Sequence, residues 1–132
     1  MGKVRVLIAD DEPHVRGVMR GIVTSLGGEV VGEASDGEQA VATFEKLRPH
    51  MVILDINMPK LTGDRALRRI LEIEPKALAI MMTAQDSIAS VRECLEIGAR
   101  NYILKSNPAE DIYKMVAQSW SDYVEEVREG SA

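Results

Sequence analysis

Met51-Val52-Ile53-Leu54 is an apolar run without alternation, closed by Asp55 and then cut off by Ile56-Asn57-Met58-Pro59. A strand with one wet face alternates apolar and polar residues, so an unbroken run suits a strand buried on both faces. That is the situation of a parallel sheet covered by helices. Asp is a poor strand former, and an Asp at the end of such a run marks where the strand emerges into a loop. In open α/β sheets this carboxyl edge is where ligands bind. Taken alone, Asp55 serves equally well as a cap for the following turn. Its meaning therefore depends on what the other strands bring to the same edge.

The rest of the chain repeats the unit. Val4 to Ala9 predicts a first strand ending in Asp10-Asp11-Glu12, with Pro13 suited to the first turn of a helix. In that helix Val15, Val18, Met19, Ile22, Val23 and Leu26 share one apolar face, and Gly17 and Gly21 lie opposite beside Arg16 and Arg20. Gly27-Gly28 ends it, Glu29 to Ala34 predicts a second strand, and Glu38 to Leu47 a short amphipathic helix stopped by Pro49. After Pro59, Asp64 can cap a helix with Ala66, Leu67, Ile70, Leu71 and Ile73 inward, broken by Pro75. Leu78 to Met82 predicts a fourth strand that hands over to Thr83-Ala84-Gln85-Asp86. Ser87 to Ile97 predicts a helix with Ile88, Val91, Cys94 and Leu95 inward, ended by Gly98. Asn101 to Leu104 predicts a fifth strand, followed at once by Lys105 and then by a last helix over about 109–128.

Such βα alternation implies a doubly wound parallel sheet with right-handed crossovers. The last helix keeps its apolar stripe through Trp120, Tyr123, Val124 and Val127, longer than a compact sheet needs. Its distal end, from Trp120 to Val127, is expected to project toward a second subunit, giving a homodimer through the last helices, or to fray.

The strand ends carry the chemistry. One edge collects Asp10, Asp11 and Glu12 from the first strand, Asp55 from the third, Thr83 from the fourth and Lys105 from the fifth. Turn caps arising independently would not place acids, a hydroxyl and a lysine together, which favours a site. Converging carboxylates repel one another and resist desolvation unless a cation is present. Asp10, Asp11 and Asp55 against Lys105 leave a charge deficit that one divalent ion matches. Oxygen-only donors, with a lone cysteine at Cys94 and no closely spaced histidines, point to Mg²⁺, and Mg²⁺ in turn to phosphate. A carboxylate can act as nucleophile toward a phosphoryl group, and phosphoryl transfer depends mainly on positioning and charge neutralisation.

Composition sets the outer bounds. With 132 residues, 45% of them hydrophobic and 28% charged, the chain fits one globular domain over 1–132. A net charge of −5 gives no basic footprint for gripping nucleic acid or an anionic membrane directly. Cys94 has no cysteine to pair with, and Val4 to Ala9 is too short for a signal segment, so a reducing, cytoplasmic setting is expected.

These residues resemble the receiver domains of two-component response regulators, in the stand-alone chemotaxis-regulator style. The resemblance rests on Asp10-Asp11, the segment from Asp55 to Gly63 with Met58-Pro59, Thr83-Ala84, and Tyr102 three residues before Lys105, all in the family's order. It implies a flavodoxin-like fold with strand order 2-1-3-4-5. It further implies that Asp55 accepts a phosphoryl group from the phosphohistidine of a sensor histidine kinase or phosphotransfer protein, or from a small phosphodonor. Asp10, Asp11, Asp55 and the backbone carbonyl of Asn57 would hold Mg²⁺, and Lys105 would pair with the carboxylate and then the phosphate. Thr83 and Tyr102 would switch, Ala84 would keep the entrance open, and the face of the fourth helix, fifth strand and fifth helix would act on a downstream output protein. Such a domain catalyses only its own phosphorylation and dephosphorylation. The neutral amides Asn57 and Gln85 are expected to tune the lifetime of the phosphate. The chain departs from the family where Ser106-Asn107 separates Lys105 from Pro108.

Other readings meet specific obstacles. A haloacid-dehalogenase-type phosphatase also uses an aspartyl nucleophile with Mg²⁺ but wants a second Asp where this chain has Asn57. A flavin binder or dinucleotide enzyme needs a glycine- or hydroxyl-rich phosphate loop where Asp10-Asp11-Glu12 stands. Within the receiver class, the domain also suits a larger DNA-binding or enzymatic regulator, with the last helix as a linker.

Overall fold

The computed structural model describes residues 3–84 and 88–128. Strands and helices alternate as β1 (Arg5–Ala9), α1 (Pro13–Ser25), β2 (Glu29–Ala34), α2 (Gly37–Leu47), β3 (Met51–Asp55), α3 (Gly63–Ile73), β4 (Leu78–Thr83), α4 (Ile88–Ile97), β5 (Asn101–Leu104) and α5 (Ala109–Arg128). The strands form one parallel sheet in the order β2-β1-β3-β4-β5. This is the flavodoxin-like, doubly wound arrangement that the βα repetition implies.

The unbroken apolar runs are explained by burial on both faces. Every residue of β3 and β4 is buried, whereas β2 and β5, each paired on one side only, are mostly half-buried. Successive side chains then alternate between two cores. Leu7, Ala9, Val52, Leu54, Ala79 and Met81 join Phe44, Leu67, Ile70 and Cys94 on one side of the sheet. Val6, Ile8, Met51, Ile53, Ile80 and Met82 join Met19, Ile22, Ile112 and Val116 on the other. Cys94 is buried, as its place on the α4 stripe predicts. Arg65, Arg68 and Arg69 of α3 face solvent.

Three local readings change. Val18 and Leu95, assigned inward by spacing, are each 42% exposed. Both lie at the margin of a helical stripe rather than at its centre. The N-cap position of α3 is Thr62 rather than Asp64, which lies within the first turn and there meets the positive end of the helix dipole. The far end of α5 neither projects nor frays as far as Glu126. Trp120 sits with its ring centroid 6.1 Å from that of His50 and 5.5 Å from that of Tyr123. Arg100, just before β5, closes a two-pronged bond to the Glu126 carboxylate. These contacts tie the unbroken helix to residues just before β3 and β5, at the amino-terminal edge of the sheet.

No helix among the described residues is long and apolar enough to cross a membrane.

Candidate functional site

The loop after β1 is a tightly bonded turn. Asp10 N–H donates to Ala34 O at 3.0 Å, and Asp10 Oδ1 accepts from Glu12 N–H at 2.8 Å. Arg16, one turn into α1, donates to the Asp10 carbonyl at 2.7 Å. The Asp10 side chain is thereby aimed inward and fully buried, while Asp11 next to it stays exposed. Arg16 and Arg20 also grip Glu33 of β2, at 3.2 and 2.7 Å, which ties α1 to the sheet edge beside this turn.

Asp55 ends β3, 2% exposed, and the loop behind it is anchored by close packing. Ile56 N–H donates to Met82 O at 2.9 Å, and Gly63 N–H donates to Ile56 O at 2.7 Å. A Cβ on Gly63 would stand 2.1 Å from Asp55 O, and one on Gly37 would stand 1.9 Å from Leu61 O. Only glycine allows the loop to lie this close to β3 and to the start of α2. Asn57 N–H reaches Asp55 Oδ1 at 3.3 Å, and the Asn57 side chain is exposed.

Lys105 spans the edge from β5. Its backbone N–H donates to Thr83 O at 2.9 Å. Its Nζ lies 2.7 Å from Asp10 Oδ2, 3.0 Å from Asp55 Oδ2 and 3.2 Å from Glu12 Oε2. Thr83 is buried at the end of β4, Ala84 is exposed after it, and Tyr102 points outward at 38% exposure. Gln85 lies outside the described residues. The Ser106-Asn107 interruption forms a turn, closed by Asn107 N–H donating to Leu104 O at 3.0 Å before Pro108 leads into α5.

Electrostatics follow from crowding. Burial pushes the Asp55 carboxyl up from 3.8 to about 6, helped by the charge of Asp10 and opposed by the bonds from Lys105 and Asn57. Burial would lower Lys105, but its bonds to Asp10 and Asp55 and their charges outweigh that and hold it well above the ordinary lysine value. The ammonium is therefore a fixed positive charge at any working pH. Asp10, Asp11 and Asp55 each offer a carboxylate oxygen within 4.8 Å of the others. Asp10 Oδ2 is fully enclosed, with the Lys105 ammonium 2.7 Å away and no other partner among the described residues. An all-oxygen, triply anionic donor set with a single lysine against it fits a hard divalent cation such as Mg²⁺.

Sequence spacing assembled Asp10, Asp11, Glu12, Asp55, Thr83 and Lys105, and the structure brings them to one edge. It did not single out Arg16 as the clamp on the Asp10 carbonyl. Nothing in the sequence separates Arg16 from the more exposed Arg20 one turn later, since both lie opposite the apolar stripe.

Comparison with known proteins agrees with this geometry. Residues 6–117 match the response regulator receiver domain model. The chain is 41% identical over 105 residues to the chemotaxis protein CheY of Thermotoga maritima, covering 80% of this chain and 87% of that one. It is 35% identical to the transcriptional regulatory protein DegU of Brevibacillus brevis, covering 88% of this chain but 51% of DegU. Among solved structures, a chain of the CheX-CheY-BeF3-Mg²⁺ complex from Borrelia burgdorferi superposes with a TM-score of 0.83 at 32% identity, with 88% of each chain covered. The chain thus belongs to the CheY-like response regulator receiver domains of two-component signalling, a regulatory family.

Proposed function

We propose that this chain, as a single receiver domain over 1–132, accepts a phosphoryl group on the Asp55 carboxylate. The observation that carries the reading is the Asp55 carboxylate at the mouth of β3, 3.0 Å from the Lys105 ammonium and within one cluster with Asp10 and Asp11. The donor class is a phosphohistidine on a sensor histidine kinase or phosphotransfer protein, or a small acyl phosphate. An Asp55 oxygen forms the new bond to phosphorus as the bond from phosphorus to imidazole nitrogen breaks. The electron pair stays on that nitrogen, which takes up a proton. With its pKa near 6, Asp55 is mostly ionised and nucleophilic at neutral pH.

Asp10, Asp11, Asp55 and the backbone carbonyl of Asn57 would hold Mg²⁺, which when bound supplies positive charge to the phosphoryl oxygens. The BeF3 and Mg²⁺ named for the Borrelia CheY complex support this pairing of a phosphoryl-like group with the metal. Lys105 stays in place, exchanging carboxylate partners for phosphoryl oxygens. Phosphorylation replaces a charge of about −1 by about −2 and adds acceptor oxygens. Thr83 is placed at the end of β4 to donate its hydroxyl to one of them. Inward motion of Thr83 leaves room behind it for Tyr102, now outward, and so alters the face of α4, β5 and α5 on which a downstream protein is read. Ala84 leaves the entrance open, and Asn57 and Gln85 set access for hydrolytic water.

A second reading within the same chemistry draws on DegU, of which this chain matches about half: the domain serves as the input unit of a larger regulator. The test of the shared chemistry is intact-mass analysis after exposure to a small phosphodonor with Mg²⁺. The native chain gains one phosphoryl mass; it gains none in excess chelator, and Asp55→Asn gains none at all. Equal labelling of the native chain and Asp55→Asn sinks the assignment.

A further inference from the structure

A cavity of about 360 Å³ opens at the amino-terminal edge of the sheet, the end opposite Asp55. Its walls are Val6 and Met51 at the strand starts, Val23 and Leu26 on α1, and Trp120 on α5. That volume lies within the range of small-molecule sites, which are apolar with a few placed polar groups. The only ionisable group lining it is Lys3, which is exposed and makes no ion pair among the described residues. On the α5 side the cavity is bounded by Val116, Ala117 and Trp120, whose ring lies against those of His50 and Tyr123.

We propose that this cavity binds a free single-chain alkyl carboxylate, its hydrocarbon between α1 and α5 and its head at Lys3. An apolar interior selects the chain by area removed from water. A single unpaired cation at the lining, on a molecule with a net charge of −5, selects a monoanionic head over a neutral or cationic one. Nothing in this site overlaps Asp55 or its neighbours.

Trp120 is the one tryptophan of the chain and lines the cavity, so its emission reports occupancy directly. The full chain is titrated with straight-chain carboxylates of increasing length and with the matching alcohols, below their micelle concentrations. The expected result is a saturable change in emission, with affinity rising about fourfold per added methylene until the cavity is full and then levelling. Lys3→Gln brings the carboxylate down to the affinity of the alcohol of equal length. Ala117→Leu, which fills the space under Trp120, abolishes binding while far-ultraviolet dichroism remains native. Should Ala117→Leu fail to fold, the chain-length series on the native protein still decides. Asp55→Asn leaves the affinity unchanged. Absence of a saturable change, affinity that climbs with length without levelling, equal affinities for acid and alcohol in the native chain, or a response to lipid vesicles alone would each overturn the proposal.

Discussion

Lys105 answers three carboxylates with one charge, and two of those carboxylates are buried. Removing one partner of a buried ion pair strands the other and costs roughly 3–5 kcal/mol. Lys105→Met is therefore expected to lose stability of that order in urea unfolding without metal, and Mg²⁺ is expected to restore part of it. Asp55 behaves oppositely. Its pKa is raised in the folded state, from 3.8 to about 6, so its contribution to stability is fully present below pH 3.8 and is lost as pH rises through 6. In metal-free buffer at pH 7, Asp55→Asn is expected to be more stable than the native chain, by on the order of 2–3 kcal/mol. The gap should close as the pH is lowered toward 4, which paired unfolding curves at several pH values would check. For the phosphorylated state, substitution of Asn57 or Gln85 is expected to change the dephosphorylation rate several-fold; unchanged decay for both would remove them from the account. At this scale the sequence was informative wherever a side chain stood at a strand end. It was silent on Arg16, whose role depends on where the Asp10 carbonyl points.

At the scale of elements, the β3–α3 loop is held by two glycines whose missing Cβ atoms leave room for backbone. Gly63 is the one that touches the site, because an added Cβ would meet the Asp55 carbonyl and the Ile56 Cα, neither of which can rotate away. Gly63→Ala is expected to cost about 1–3 kcal/mol or more by overpacking, and to slow phosphorylation by displacing Asp55. Unfolding curves and phosphorylation rates on the same variant would test the two effects together. The strands were legible because burial on both faces leaves a continuous apolar run. Helix margins were less so: Val18 and Leu95 obey the spacing of a buried stripe, yet are exposed because periodicity gives the direction of a face and not its width. The start of α3 was misread by two residues, since Thr62 and Asp64 are both acceptable near a helix start and only backbone geometry separates them.

Over the whole molecule, the sheet order places β1 and β3 side by side at the centre, so Asp10 and Asp55 necessarily meet at one edge, with β4 and β5 carrying Thr83 and Lys105 beside them. This convergence was readable because a parallel sheet sends every strand's carboxyl end the same way. The anchoring of distal α5 was not readable, because it depends on contacts between Trp120 and His50 and between Arg100 and Glu126 that are far apart in sequence. The claim that unites these features is that the phosphoryl group resides on Asp55. The most direct test is to phosphorylate the chain with a small donor and Mg²⁺, reduce the acyl phosphate with borohydride, and locate the resulting homoserine by peptide mass spectrometry. Homoserine is expected at position 55 alone. Homoserine at position 10 or 11, or a labelled protein with aspartate intact at 55, would contradict it.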